Sequence, residues 1–457
     1  MAGWSGAPVQ ARCDLAGGAV PRDHAPAWCA AGARFRRVRR VLTAAFVAVL
    51  GVACGGQQRT EHRSGVTATA IAGAEPTVAS TVRIGAEELD SGAGRRLRGL
   101  RVGVIANAAS VTYDGRPSVR TLRAHGARVV RLFSPEHGYR ARGPAGARQD
   151  DSRAFGVPVV SLYGAKQAPT AHDLRGLDAL VYDLQDAGVR FYTYVSTEIL
   201  ALRAAARAGL PFVVLDRPDP LGGEVVAGPV RRGPETFAAT APGPLVYGLT
   251  SGEMARYVNA HTRPRARLTV IRMHGWRRHM TWPQTSRPWT PPSPGLRTWQ
   301  AALTYPGMAL FEGTSASVGG GTRRSYQMLC APWLDGRDLA ARASELGVPA
   351  TPITVVPHPL LSAREPKFRG RRCRGALLNP RDDGAVNAYK AGLGLLLHIR
   401  RRRRFRWLQG GAITDAVLGT PLLRRRVDAG WPLKRILAAE APAVRAWKAR
   451  RAPYLLY

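Results

Sequence analysis

Six short apolar runs mark the middle of the chain: Arg101–Ala106, Arg128–Phe133, Pro158–Tyr163, Ala179–Tyr182, Phe212–Asp216 and Leu268–Met273. Most are unbroken rather than alternating, the pattern of strands covered on both faces of a parallel sheet. Between them lie stretches of helical character. Ser118–His125 and the Ala/Leu-rich Ser196–Ala208 read as helices. Thr250-Ser251-Gly252-Glu253 is a capping box that opens another, running to His261. Strand and helix alternating in this way imply parallel crossovers and an α/β fold. After residue 282 the pattern changes. Residues 282–298 are rich in proline and tryptophan and read as an irregular connection, so the domain boundary is placed there. This divides the body into residues 82–290 and a smaller, less regular part, 291–457, with helices expected over 385–400 and 433–448.

Polar residues gather where the strands stop. Asn107 follows the first run, Ser134–Gly138 the second, Asp183–Arg190 the fourth and Asp216–Gly223 the fifth. Ligands of open α/β sheets bind at the carboxyl ends of strands. Four such ends on one sheet edge would make one cleft. The densest stretch is Leu180–Tyr194, where Asp183, Gln185, Asp186 and Arg190 crowd together before Tyr192 and Tyr194. Gly188 lets the backbone turn tightly between the acids and the arginine. The alternative for this cluster is a structural ion-pair network, with Arg190 clamping Asp183 or Asp186.

Composition narrows the function. At 457 residues two domains are the natural expectation, and 45% hydrophobic residues suffice for a core. The net charge of +36 ordinarily suggests nucleic acid. Here 62 of the 67 basic residues are arginine, spread throughout, as a GC-rich coding sequence would produce. Zinc-finger spacing and RNA-reading aromatics are both missing, so no nucleic-acid partner is expected. Cys13, Cys29 and Cys54 lie in the leader, and Cys330 and Cys373 in the body. Without a Cys-x-x-Cys motif, no metal site is expected. The two body cysteines could pair in an oxidising compartment.

The leader, residues 1–54, holds a basic run, Arg34–Arg40, and an apolar segment, Val41–Ala53, too short to span a bilayer. Small residues before Cys54 resemble a bacterial lipoprotein signal with Cys54 as the lipidation site, although Gly51 stands where a large aliphatic is usual. An ordinary secretory signal is the alternative. Residues 55–81 read as a polar linker. An extracytoplasmic protein of the cell envelope is expected, secreted or membrane-anchored through its lipid.

The chemistry on offer is carboxylate: Glu136, Asp183, Asp186, Asp216, Asp219, Glu253 and Glu312. No Gly-x-Gly-x-x-Gly follows the first strand, and neither a nucleotide loop nor a serine elbow occurs. Carboxylates with aromatic and amide neighbours suit glycoside hydrolysis, where one acid protonates the leaving oxygen and another group supports the oxocarbenium-like centre. Glu136 is the best acid, held directly after a strand by Pro135 and Gly138 with His137 beside it. Capping a helix, or pairing with an arginine of the 140–148 loop, is its alternative.

Ser134-Pro135-Glu136-His137-Gly138, the Asp183–Tyr194 stretch, Asp216–Gly223 and Phe311-Glu312-Gly313-Thr314 together resemble the exo-β-N-acetylmuramidases of the NamZ type. The resemblance runs from Val82 to the C-terminus. It implies a Rossmann-like parallel-sheet domain and a smaller C-terminal α/β domain completing the cleft. It also implies release of N-acetylmuramic acid from the non-reducing ends of peptidoglycan fragments, with the catalytic glutamate at Glu136. No cofactor is implied. On this reading Glu136, His137, Asp183 and Asp186 form the catalytic group. Asn107, Gln185, Arg190, Tyr192, Tyr194, Asp216, Arg217 and Glu312 bind substrate, Arg217 taking the lactyl carboxylate in its fork of donors. The chain departs from the family at Asp219 (usually Asn), at Gly295 (usually Asn), and at Ser315, Val318 and Gly320, where Asn, Glu and Arg are usual. A noncatalytic muropeptide-binding lipoprotein is the rival reading.

Overall fold

The computed structural model describes residues 82–358, 366–381 and 387–457. The leader, Cys54 and the linker lie outside these residues. The six runs become β1 (Arg101–Ala106), β2 (Arg128–Ser134), β4 (Val157–Ser161), β5 (Ala179–Asp183), β6 (Phe212–Leu215) and β7 (Leu268–Ile271), joined by a short β3 (Ser152–Ala154). The sheet order is β3-β4-β2-β1-β5-β6-β7. All pairs are parallel except β3, which folds back antiparallel on β4. β2 and β4 lie to one side of β1, and β5 to β7 to the other. The sheet is doubly wound, with its switch point between β1 and β5.

Alternate residues of each central strand serve opposite faces, as the two-residue repeat of a strand requires. Ile105, Leu180, Tyr182, Phe212 and Val214 enter one apolar cluster. Val102, Val104, Ala179, Val181, Val213 and Leu215 enter the other. Both faces are therefore dry, which is why these strands read as unbroken apolar runs. The helices Ser118–Ala124, Thr193–Arg207 and Ser251–Ala260 stand where the sequence places them. Thr250 Oγ1 accepts from the Glu253 amide while the Glu253 carboxylate accepts from the Thr250 amide.

The second half is more regular than its sequence suggests. A three-stranded antiparallel sheet, β8 (Met328–Ala331), β10 (Cys373–Leu378) and β9 (Ala350–Val355) in that order, packs under the helix Gly336–Glu345. The helix Trp299–Met308 runs through Pro306 and crosses the helix Ala388–Arg400 at Gly307 and Gly392. A Cβ on Gly307 would strike the Ala388 carbonyl. Pro306 lies in the last turn, where tertiary packing outweighs its poor helix propensity. The helix Leu433–Arg451 closes the chain. The first cluster extends from Ile105 to Trp447, and the described residues belong to one compact unit. Cys330 and Cys373 are free thiols, neighbours on β8 and β10 within an apolar cluster. Among the described residues no helix is long and apolar enough to cross a membrane.

Candidate active site

β2, β1, β5 and β6 are consecutive in the sheet and parallel, so their four polar ends share one edge. Glu136 lies two residues beyond β2. Its Oε1 accepts from the Gly146 amide at 2.6 Å, and its Oε2 from Thr193 Oγ1 at 2.7 Å. Thr193 opens the helix that follows the Asp183–Tyr192 loop. The 140–148 loop thus reaches Glu136 through a backbone amide, in place of the arginine that was the alternative partner. His137 and Gly138 both have positive φ, 70° and 69°. His137 Nδ1 contacts the Gly143 carbonyl at 2.7 Å and ties the same loop down.

Asn107 and Tyr194 brace this corner. Asn107 Nδ2 donates to Tyr194 Oη at 3.0 Å and to the Pro292 carbonyl at 3.1 Å. Tyr194 Oη donates to Pro292 O at 2.6 Å and lies 3.3 Å from Glu136 O. Both side chains are fully buried, so they hold the Glu136 loop rather than line an open surface.

The other acids have other tasks. Asp183 is fully buried and paired two-pronged with Arg217, Nε to Oδ1 at 2.5 Å and Nη2 to Oδ2 at 3.1 Å. The fork expected to take a substrate carboxylate is therefore engaged within the protein, and Arg217 also donates to Val111 O. Arg190 clamps neither acid. Its guanidinium donates to the carbonyls of Pro229, Gly243 and Leu418, joining three distant loops. Burial, with Arg231 nearby, pulls its pKa down to about 10. Asp186 accepts from Tyr247 Oη, and burial pushes its carboxyl up to about 6. Gln185 Nε2 donates to Asp186 O and Pro218 O. Asp216 accepts from the Arg217 and Gly252 amides, Thr250 Oγ1 and Tyr457 Oη, and burial raises it to about 6. It fastens a helix start and the chain terminus. Gly188 has φ 71°, and a Cβ there would strike Asp219 Oδ1.

A line of rings leads from Glu136 to Glu312. Tyr194 and Tyr192 lie 4.5 Å apart, Tyr192 and Tyr305 6.1 Å, and Tyr305 and Tyr326 4.6 Å. Burial, followed by the charges of Glu312 and Glu136, pushes the hydroxyls of Tyr305 and Tyr326 well up. Both carboxylates thus act on the same pair of tyrosines. Tyr326 has φ 58°, rare for an aromatic residue. Its amide donates to Val318 O at 2.7 Å and its carbonyl accepts from Thr304 Oγ1 at 2.6 Å. Gly295 leaves room for this ring: a Cβ there would come within 2.7 Å of Tyr326 Cε2. Carboxylates and rings disposed like this suit acid-assisted cleavage of a sugar bond.

The sequence did not mark Thr193, Gly146, Tyr305 or Tyr326. Thr193 sits inside the Asp183–Tyr194 stretch and Tyr305 beside Pro306-Gly307. Tyr326 carries no local signal. Among the described residues no group of three or more His, Cys, Asp or Glu side chains is arranged to hold a metal.

A family model described as exo-beta-N-acetylmuramidase NamZ, N-terminal, matches residues 102–300, and the corresponding C-terminal model matches residues 303–457. The chain is 34% identical over 371 residues to the peptidoglycan beta-N-acetylmuramidase NamZ of Bacillus subtilis strain 168, covering 79% of this chain and 88% of that protein. Two crystal structures of DUF1343 family proteins from Bacteroides fragilis superpose with TM-scores of 0.73 and 0.68, each at 28% identity. They cover 84% and 83% of this chain, and 100% and 99% of their own.

Proposed function

The chain belongs to the NamZ family of exo-β-N-acetylmuramidases, and from that premise we propose that it releases N-acetylmuramic acid from the non-reducing ends of peptidoglycan fragments, with Glu136 as general acid/base. One observation carries the assignment of the acid. Glu136 stands at the carboxyl end of β2 with its carboxylate oriented by Thr193 and Gly146. A glycosidase needs two groups flanking the bond it breaks. Glu136 protonates the leaving oxygen, and Glu312 supports the sugar from the other side of the rings. Asp183 with Arg217, and Asn107 with Tyr194, hold the loops that carry these groups.

The test sets turnover of a chromogenic β-MurNAc glycoside against its β-GlcNAc analogue with the purified protein. Hydrolysis of the first alone supports the enzyme. Tight binding of muropeptide with no turnover selects the noncatalytic rival, which the changes at Ser315, Val318 and Gly320 keep in view. An extracytoplasmic, lipid-anchored location is part of the same proposal. It is supported by the basic run, the short apolar segment and Cys54, since two or more acyl chains hold a protein firmly to a bilayer. Cys54→Ser should move the protein out of the membrane fraction. A wild type already soluble and cut elsewhere would mark a plain secretory signal.

A further inference from the structure

The ammonium of Lys367 sits within the loop that carries Glu312. Its Nζ lies within hydrogen-bond distance of four backbone carbonyls, Phe311 at 3.1 Å, Glu312 at 3.0 Å, Thr314 at 2.8 Å and Ala316 at 2.9 Å, which share its three N–H donors. None of the four acceptors is a carboxylate. Carbonyl dipoles turned toward one point repel one another unless a cation stands between them, which is how backbone oxygens replace the hydration shell of a small monovalent ion. The segment is curled to produce this convergence. Thr314 donates from both its amide and its hydroxyl to Phe311 O, Thr314 bridges to Trp407, and Ser317 bridges to Cys330.

The residue type fits the cage. The chain has 62 arginines and only five lysines, yet lysine occupies this place. An ammonium is a compact point charge with three donors, whereas a guanidinium is a planar fork that cannot meet carbonyls on all sides. Glu312 also favours the charged lysine, against the burial that lowers its pKa.

We propose that Lys367 is a positioning residue of the active site: a cation built into the chain that holds the 311–316 loop and with it Glu312. The inference rests on the hydrolytic reading of Glu136 and Glu312. If Lys367 serves as an ion, its removal leaves a cage that a small monovalent cation can fill.

The experiment uses the whole protein carrying Lys367→Ala. It is assayed on the β-MurNAc glycoside in chloride salts of ammonium, potassium and tetramethylammonium at equal ionic strength. In tetramethylammonium, too large for the cage, kcat should fall about 10²-fold with a smaller change in KM. Ammonium or potassium should restore at least tenfold of the loss, saturably, while wild type stays indifferent to the cation. Lys367→Arg should show the loss without the rescue. A Lys367→Ala variant within threefold of wild type would overturn the proposal, as would a loss that no small cation recovers. Should the variant not fold in tetramethylammonium, its melting temperature replaces kcat: recovery in ammonium or potassium supports the cage, and none overturns it. A wild type without turnover would instead overturn the hydrolytic reading, and the cation dependence of the variant's melting would still judge the cage.

Discussion

Glu136 lies just beyond β2 and Asp183 ends β5, the two strands that flank β1, and the fold treats their carboxylates in opposite ways. Glu136 receives one amide and one hydroxyl. Asp183 is sealed against Arg217. Their substitutions should therefore separate chemistry from stability. Glu136→Gln keeps the shape but cannot supply the proton, so turnover should fall by ~10²–10⁴ with thermal unfolding unchanged. Near-normal turnover would remove Glu136 from the acid role. Asp183→Asn leaves the Arg217 charge buried without its counter-charge, which should destabilise the protein by about 3–5 kcal/mol in urea unfolding. Arg217→Met should cost a similar amount, and the double variant less than the sum.

Among the elements, the loop from Glu312 to Tyr326 holds three of the positions where the family resemblance leads one to expect other residues. Its three unusual residues occupy different surroundings. Val318 is buried in the large apolar cluster, whereas a Cβ on Gly320 would meet nothing within 4 Å. Ser315 is tied to the 404–406 segment through its hydroxyl, accepting from the Arg406 amide and donating to Arg404 O. Val318→Glu places an unpaired acid in the core and should be strongly destabilising. Gly320→Arg should stay within ~0.5 kcal/mol, as surface changes do. The two changes made together test whether an acid at position 318 can pair with a guanidinium at position 320: urea midpoints of the double variant above those of Val318→Glu would show that it does. Equal midpoints would mean that the two side chains do not pair here.

At the scale of the whole molecule, the sheet edge and the domain behind it hold several acids in dry surroundings. Burial pushes Asp186 and Asp216 up to about 6, and Glu198 and Asp219 well above the ordinary carboxylate range. Both carboxylate oxygens of Glu198 are buried without a hydrogen-bond partner. A raised acid binds its proton more tightly folded than unfolded. Its contribution is complete below the unfolded pKa, near 4, and is lost as pH rises through 6 and above. Glu87 and Asp173, whose partners Arg287 and Lys166 help to lower them, act in the other sense and lose their contribution as pH falls below 4. Stability should fall between pH 5 and pH 8. Asp219→Asn keeps the acceptor for the Leu221 amide and removes one raised acid. Its urea midpoint should exceed that of wild type by more at pH 8 than at pH 5. Because the two proteins share the same charge background, a difference independent of pH would show that Asp219 does not hold a proton in the fold.

The strands, the main helices of the sheet domain and the Thr250 capping box follow from the order of apolar and polar residues alone, because they depend on neighbours a few positions away. So does the gathering of polar groups at one sheet edge: unbroken apolar runs alternating with helices allow little but parallel strands, and their ends then face one way. The pairings across the site were decided only in three dimensions. Nothing local distinguishes Arg217 from Arg190 as the partner of Asp183, or shows that Asn107 meets Tyr194. Tyr326 joins the rings through a backbone conformation no aromatic residue prefers. Lys367 meets carbonyls 51 to 56 positions away in the chain. The helix through Pro306 exists because Gly307 and Gly392 let two helices touch, a contact whose packing outweighs the local preference against it.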